Sequence, residues 1–130
     1  MKEDHPAYRW ESKNILVVED DESSAFLLES YLRHTGARLA FTRDGNMAVD
    51  YVRQHPETDL ILMDIHLPEK DGFTATREIK SFARNVVVIA QTADAFCIEQ
   101  QEAINAGCDA YLTKPLNMSL LLDKIDSYLS

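Results

Sequence analysis

Carboxylates, a hydroxyl and an ammonium follow short apolar runs at four places in the chain. Ile15-Leu16-Val17-Val18 runs into Glu19, Asp20 and Asp21; Leu60-Ile61-Leu62-Met63 ends in Asp64; the run 86–90 is closed by Thr92; and the stretch 109–113 gives way to Lys114-Pro115. A buried run that delivers an acid to its end is costly unless the acid has a partner. Several carboxylates brought together repel one another and must hold either protons or a cation. Oxygen ligands without a His or Cys cluster select a hard cation. A shallow site with few protein ligands and several waters suits Mg2+ better than Ca2+. With Lys114 as a fixed positive charge and Thr92 as a hydroxyl donor, the set neutralises a dianionic group with three oxygens. That is the equipment of phosphoryl transfer, which depends on positioning and charge stabilisation. Asp64 is the one member not needed purely as a ligand, and a carboxylate can itself be the nucleophile and form an aspartyl phosphate.

These four ends lie far apart in the chain, so a fold must gather them. Runs that are apolar on both faces suit central parallel strands. The pattern predicts strands at 15–18, 38–42, 60–63, 86–90 and 109–113. Between them it predicts five helices. The first is capped by Ser23 or Ser24, turns Phe26, Leu27, Leu28 and Tyr31 inward and stops at Gly36. The second starts at Asp44-Gly45, buries Met47, Ala48, Tyr51 and Val52, and ends at His55-Pro56. The third begins near Gly72 with Phe73, Thr76 and Ile79 inward, and the fourth covers 94–106 up to Gly107. The last is capped by Asn117 and buries Leu120, Leu121, Ile125 and Leu129. Five alternations of strand and helix predict an α/β fold, a parallel sheet with helices on both faces. In such a sheet the working crevice lies beyond the carboxyl ends of the strands, where the polar residues collect.

The 130 residues suit one domain with a hydrophobic core of its own. Residues 1–12 read as a tail or linker, with Trp10 either packed on the domain or anchoring a linker, and 13–130 as the domain; no effector domain is expected. A formal charge of -9 repels nucleic-acid phosphates and anionic lipid, so direct binding to either is not expected. Cys97 and Cys108 make neither a disulfide framework nor a metal motif. No apolar run is long enough for a bilayer and no signal-like segment opens the chain, so a cytoplasmic location is expected.

Four motifs make the reading specific: ILVVEDD (15–21), DLILMDIHLPEKDG (59–72), VVVIAQTADA (86–95) and AYLTKPL (110–116). In this order, at these strand ends, they resemble the receiver domain of two-component response regulators, over about 13–129. The resemblance implies a flavodoxin-like, doubly wound (βα)5 three-layer sandwich with strand order 2-1-3-4-5. It implies that Asp64 is the phosphoacceptor. Asp20 would be a direct Mg2+ ligand and Glu19 a partly water-mediated one, with the backbone carbonyl of His66 as the third protein ligand; Mn2+ would serve in place of Mg2+. Thr92 would hydrogen-bond the phosphoryl group and Lys114 would pair with one of its oxygens. Tyr111 would be the switch aromatic that turns inward as Thr92 moves, and Lys114-Pro115 a cis bond. The implied partner is a histidine kinase or histidine phosphotransfer domain, and the implied output a changed surface on the fourth helix, fifth strand and fifth helix of a monomer or weak dimer. Two positions depart from the family's usual residues, Glu19 where Asp is common and Lys70 where Met is common. Glu19 keeps the charge, and Lys70 is expected to face solvent. His66 puts an imidazole beside the acyl phosphate. AQTADAF (90–96), AGCDAYLTKPL (106–116) and the 10–13 lead-in further resemble receivers fused to hybrid sensor kinases.

Plainer readings exist for each residue alone. The acids at 19–22 would be a solvated helix start, Thr92 a helix cap, Lys114 a surface lysine and Tyr111 a half-exposed strand residue. His34 and His55 sit at helix ends, and no histidine has the setting of a phosphodonor. An aspartate-nucleophile phosphatase would need a second acid where the chain has His66. A flavodoxin-like cofactor carrier would need a phosphate loop where it has Glu19 to Glu22. A non-phosphorylated interaction module would not need the full set of acids, Thr92 and Lys114.

Overall fold

The computed structural model describes residues 8–93 and 97–129, with side chains for 8–93 and 100–129. Its elements are β1 (Asn14–Val18), α1 (Glu22–Leu32), a 3-10 turn (Arg33–Thr35), β2 (Arg38–Thr42), α2 (Gly45–Gln54), β3 (Leu60–Asp64), α3 (Gly72–Phe82), β4 (Val87–Thr92), α4 (Cys97–Ala106), β5 (Ala110–Thr113) and α5 (Met118–Leu129). The strands pair in parallel in the order β2-β1-β3-β4-β5, so the doubly wound α/β architecture is the observed one. The part of the predicted fourth helix at 94–96 lies outside the described residues. No helix among the described residues is long and apolar enough to cross a membrane.

Continuous apolar strands arise because each is covered on both sides. Ile15, Val17, Leu60, Leu62 and Ile89 pack with Leu28 and Leu32 of α1 and Leu121, Ile125 and Leu129 of α5. The alternate residues Leu16, Val18, Ile61, Met63 and Val88 pack with Val49 and Val52 of α2 and Ile79 of α3. Side chains of successive strand residues point to opposite faces, so one run serves two cores. A smaller cluster joins Ile65, Phe73, Ala90, Ala103 and Ala106, with Tyr111 against it.

Three helices differ in detail from the sequence reading. Asp21, not Ser23 or Ser24, caps α1: its carboxylate accepts from Ser24 N–H and from the Ser24 hydroxyl, both at 2.8 Å. The buried stripe of α1 is Leu28 and Leu32, while Phe26, Leu27 and Tyr31 are exposed. In α2 Met47 is exposed and Val49 buried, and in α5 Leu120 is exposed. In each helix the apolar residues span more of the circumference than the core covers, so periodicity alone does not select the inward face. The other boundaries fall close to expectation. Asp44 caps α2, Asn117 accepts from Leu120 N–H at 3.1 Å, and Gly36 ends the 3-10 turn at φ 84°.

Trp10 belongs to the core. It is buried in the α1/α5 cluster. Its backbone N–H donates to the Thr35 carbonyl at 2.8 Å and its indole N–H to Asp126 of α5 at 2.8 Å. Tyr8 stacks obliquely on it, centroids 5.4 Å apart, and its hydroxyl donates to Asp123.

Candidate functional site

β1 and β3 run side by side up to Val18 and Met63, so the next residues, Glu19 and Asp64, stand together at the carboxyl edge of the sheet. Both are buried, whereas Asp20 at the rim is exposed. Glu19, Asp20 and Asp64 each offer a carboxylate oxygen, and the three lie within 4.8 Å of one another. Asp21 is turned away to cap α1, which leaves Asp20 as the rim acid. Lys114 reaches this group from the end of β5. Its ammonium is 3.1 Å from Asp64 Oδ2 and 3.4 Å from Glu19 Oε1. Asp64 Oδ1 accepts the His66 backbone N–H at 3.1 Å.

Electrostatics follow from that crowding. Burial, and next the Asp64 charge, push the Glu19 carboxyl up to about 7, against the opposing pull of Lys114. Burial works against the Lys114 ammonium, but Asp64 and Glu19 outweigh it and hold its pKa above the ordinary lysine value. A buried acid pair that one lysine does not fully neutralise, with a third acid at the mouth, fits a hard divalent cation by donor chemistry.

Backbone packing fixes the surroundings of Asp64. Gly72 N–H donates to the Ile65 carbonyl at 3.0 Å, closing the loop between β3 and α3. A Cβ on Gly72 would stand 2.4 Å from the Asp64 carbonyl oxygen, so only glycine admits that approach. A Cβ on Gly45 would stand 2.3 Å from the Lys70 carbonyl oxygen, which seats the loop on the start of α2. Lys70 does not face solvent as expected. It is only 23% exposed and pairs with Glu78 of α3. The Lys70 hydrogen bond holds the Glu78 carboxyl below the usual range. His66 has an exposed side chain.

Thr92 is buried at the end of β4, in register with Thr113. Its carbonyl accepts the Lys114 N–H at 2.7 Å, which ties the β4 end to the start of the Lys114-Pro115 segment. That bond is cis. Tyr111 is half-buried against the Ala90 and Ala103 cluster, in register with Ala90. Glu19, Asp20 and Asp64 are thus in mutual reach and Lys114 meets two of them, Glu19 and Asp64, with Thr92 and Tyr111 on the neighbouring strands. One residue went unmarked in the sequence. Gln91 is fully buried in register with Asp64, and neither atom of its carboxamide has a hydrogen-bond partner. A lone amide in an otherwise apolar strand was the only signal.

Comparison with known proteins points the same way. The profile of the response regulator receiver domain matches residues 15–126. The polar-differentiation response regulator DivK of Brucella ovis is 37% identical over 120 residues, covering 91% of this chain and 97% of DivK. The receiver domain of the sensor histidine kinase PA1611 from Pseudomonas aeruginosa, solved with a magnesium ion coordinated in its active site cleft, is similar at TM-score 0.83 and 35% identity over 90% of this chain and 97% of that one. The receiver domain of Ssk1 from Saccharomyces cerevisiae, solved with the histidine phosphotransfer protein Ypd1, is similar at TM-score 0.87 and 29% identity over 92% and 90%.

Proposed function

This chain belongs to the response regulator receiver domain family, a receiver for phosphoaspartate signalling, and on that premise we propose how its own residues perform the reaction. Asp64 is the phosphoacceptor. One of its carboxylate oxygens attacks the phosphorus of a phosphohistidine, the P–N bond breaks, and the electron pair leaves with the imidazole, which takes up a proton. An acyl phosphate on Asp64 results, and water later hydrolyses it. The observation that carries this reading is the buried Asp64 set within 4.8 Å of Glu19 and Asp20 and 3.1 Å from the Lys114 ammonium.

Glu19, Asp20 and Asp64, with the His66 carbonyl, would hold Mg2+; that ion, when bound, supplies charge neutralisation for the phosphoryl oxygens. Lys114 exchanges its contact with the Asp64 carboxylate for a phosphoryl oxygen. Thr92 donates its hydroxyl to another. Tyr111 follows Thr92 inward, and the change reaches the α4-β5-α5 surface as a two-state shift biased by the new phosphate contacts.

The phosphodonor is a histidine kinase or a histidine phosphotransfer domain, a pairing supported by the similarity to a receiver solved with Ypd1. Phe26 stands exposed on α1 beside Glu19 and Asp20 and would offer such a donor an apolar contact. We place the receiver at 13–130 with 1–12 as tail or linker, Trp10 fastening the junction, and the protein in the cytoplasm as a monomer or weak dimer. Two parents fit: a regulator built like DivK, nearly all of which this chain spans, or a hybrid kinase, as the likeness to the PA1611 receiver allows. Incubation with Mg2+ and acetyl phosphate tests the reading by intact mass. One added phosphoryl group, absent in Asp64→Asn, is expected; no adduct, together with no binding of beryllofluoride, would sink it.

A further inference from the structure

Side-chain alternation puts one row of residues across the top of the sheet. Ile15 and Val17 of β1, Leu60 and Leu62 of β3, and Ile89 of β4 all face the α1/α5 core. Two residues on from Val17, Leu62 and Ile89 stand Glu19, Asp64 and Gln91, which therefore lie on that same face. Asp64 is the register partner of Gln91, and Gln91 in turn pairs with Leu112, two residues before Lys114. Gln91 thus lies between the phosphoacceptor and the strand that delivers its lysine.

Its chemistry is out of place for a core position. The side chain is 0% exposed, and both Nε2 and Oε1 lack a hydrogen-bond partner. A buried amide left unpaired is costly, and a Leu or Met in the same volume would avoid the penalty. Lys114, its side chain 31% exposed, has a donor to spare. An ammonium carries three protons, and its two carboxylate contacts, Asp64 and Glu19, account for two of them.

Resting on the phosphoacceptor reading above, we propose that Gln91 is a positioning residue for Lys114: its carboxamide oxygen, unpaired at rest, takes an ammonium proton as Lys114 turns from the Asp64 carboxylate to the arriving phosphoryl oxygen, and so aims the ammonium there. It touches neither phosphate nor metal. Its effect passes through Lys114 alone.

A double-mutant cycle tests this. Phosphorylation by acetyl phosphate is timed by intact mass in the wild type, Gln91→Leu, Lys114→Ala and the double variant, with Mg2+ affinity measured in parallel. Gln91→Met, unbranched and close to Gln in volume, repeats the series in case Leu does not pack. Gln91→Leu should slow phosphorylation about tenfold, with Mg2+ affinity held within about twofold. In the Lys114→Ala background the Gln91 substitution should add nothing. An undiminished rate in Gln91→Leu and Gln91→Met overturns the proposal. So does an equal loss with and without Lys114, or a loss that tracks Mg2+ affinity, since each marks a packing effect. A wild type that takes no phosphoryl group refutes the phosphoacceptor reading and this inference with it, whereas a phosphorylated wild type with indifferent Gln91 variants refutes this inference alone.

Discussion

Glu19→Gln should make the metal-free protein more stable, by an amount that grows with pH. Glu19 is buried, and its desolvation and the neighbouring Asp64 push its carboxyl up to about 7 from an ordinary 4.5. Below the ordinary carboxyl range it is protonated in both folded and unfolded chains, and the charge makes no difference. Between those two values the unfolded chain releases the proton while the folded chain retains it. Each pH unit in that window therefore removes about 1.4 kcal/mol of stability. Above it the accumulated loss is on the order of 3 kcal/mol. Glutamine has no proton to lose. It still accepts the Asp21 N–H that Glu19 holds at 3.2 Å, and Lys114 retains Asp64. Urea denaturation in the presence of a chelator, at steps from about pH 4.5 to about pH 8, should give curves that nearly coincide in acid and separate as pH rises. Saturating Mg2+ should reverse the order, because the wild type binds the ion more tightly and gains more from it. Parallel pH curves for wild type and variant, or a wild type equally stable across the window, would refute the electrostatic reasoning.

Three other outcomes follow from packing. Trp10→Ala should cost about 3–5 kcal/mol in urea denaturation, since the ring is buried against α1 and α5 and its indole N–H bonds Asp126; a loss within error of zero would return Trp10 to the linker. Gly72→Ala should cost about 1–3 kcal/mol and weaken Mg2+ binding, because the new Cβ meets the Asp64 carbonyl at 2.4 Å and must push the loop aside. Unchanged binding would mean that the His66 carbonyl does not serve the ion. Cys108, whose thiol burial pushes up to about 11, should react with a thiol reagent at neutral pH far more slowly than in urea; equal rates would contradict its burial.

Strand content was legible because β1, β3 and β4 are covered on both faces. Leu16 and Val17 serve opposite cores, and only continuous apolar runs satisfy that demand. The carboxyl-edge residues were legible for the same reason: Glu19, Asp64 and Lys114 break their runs abruptly. Helix faces were not. In α1 Phe26, Leu27 and Tyr31 compete with Leu28 and Leu32, and the winners are set by where β1 and α5 lie, which no local window contains. The setting of Lys70 is not legible in its own loop because Glu78, which pairs with it, and Gly45, which its carbonyl packs on, belong to other elements. Gln91 passed unnoticed because its interest comes from its register partner Asp64 and its total burial, both products of the tertiary fold.

The central claim is that Asp64 itself carries the phosphoryl group. Acetyl phosphate with Mg2+, followed by borohydride reduction and peptide mapping, tests it directly, because reduction of an aspartyl phosphate leaves homoserine in its place. Homoserine at position 64, and at no other acid of the rim, is the predicted result. Homoserine at position 20, 2-amino-5-hydroxypentanoic acid at position 19, or an unmodified Asp64 in a protein that has gained a phosphoryl group, would contradict the account.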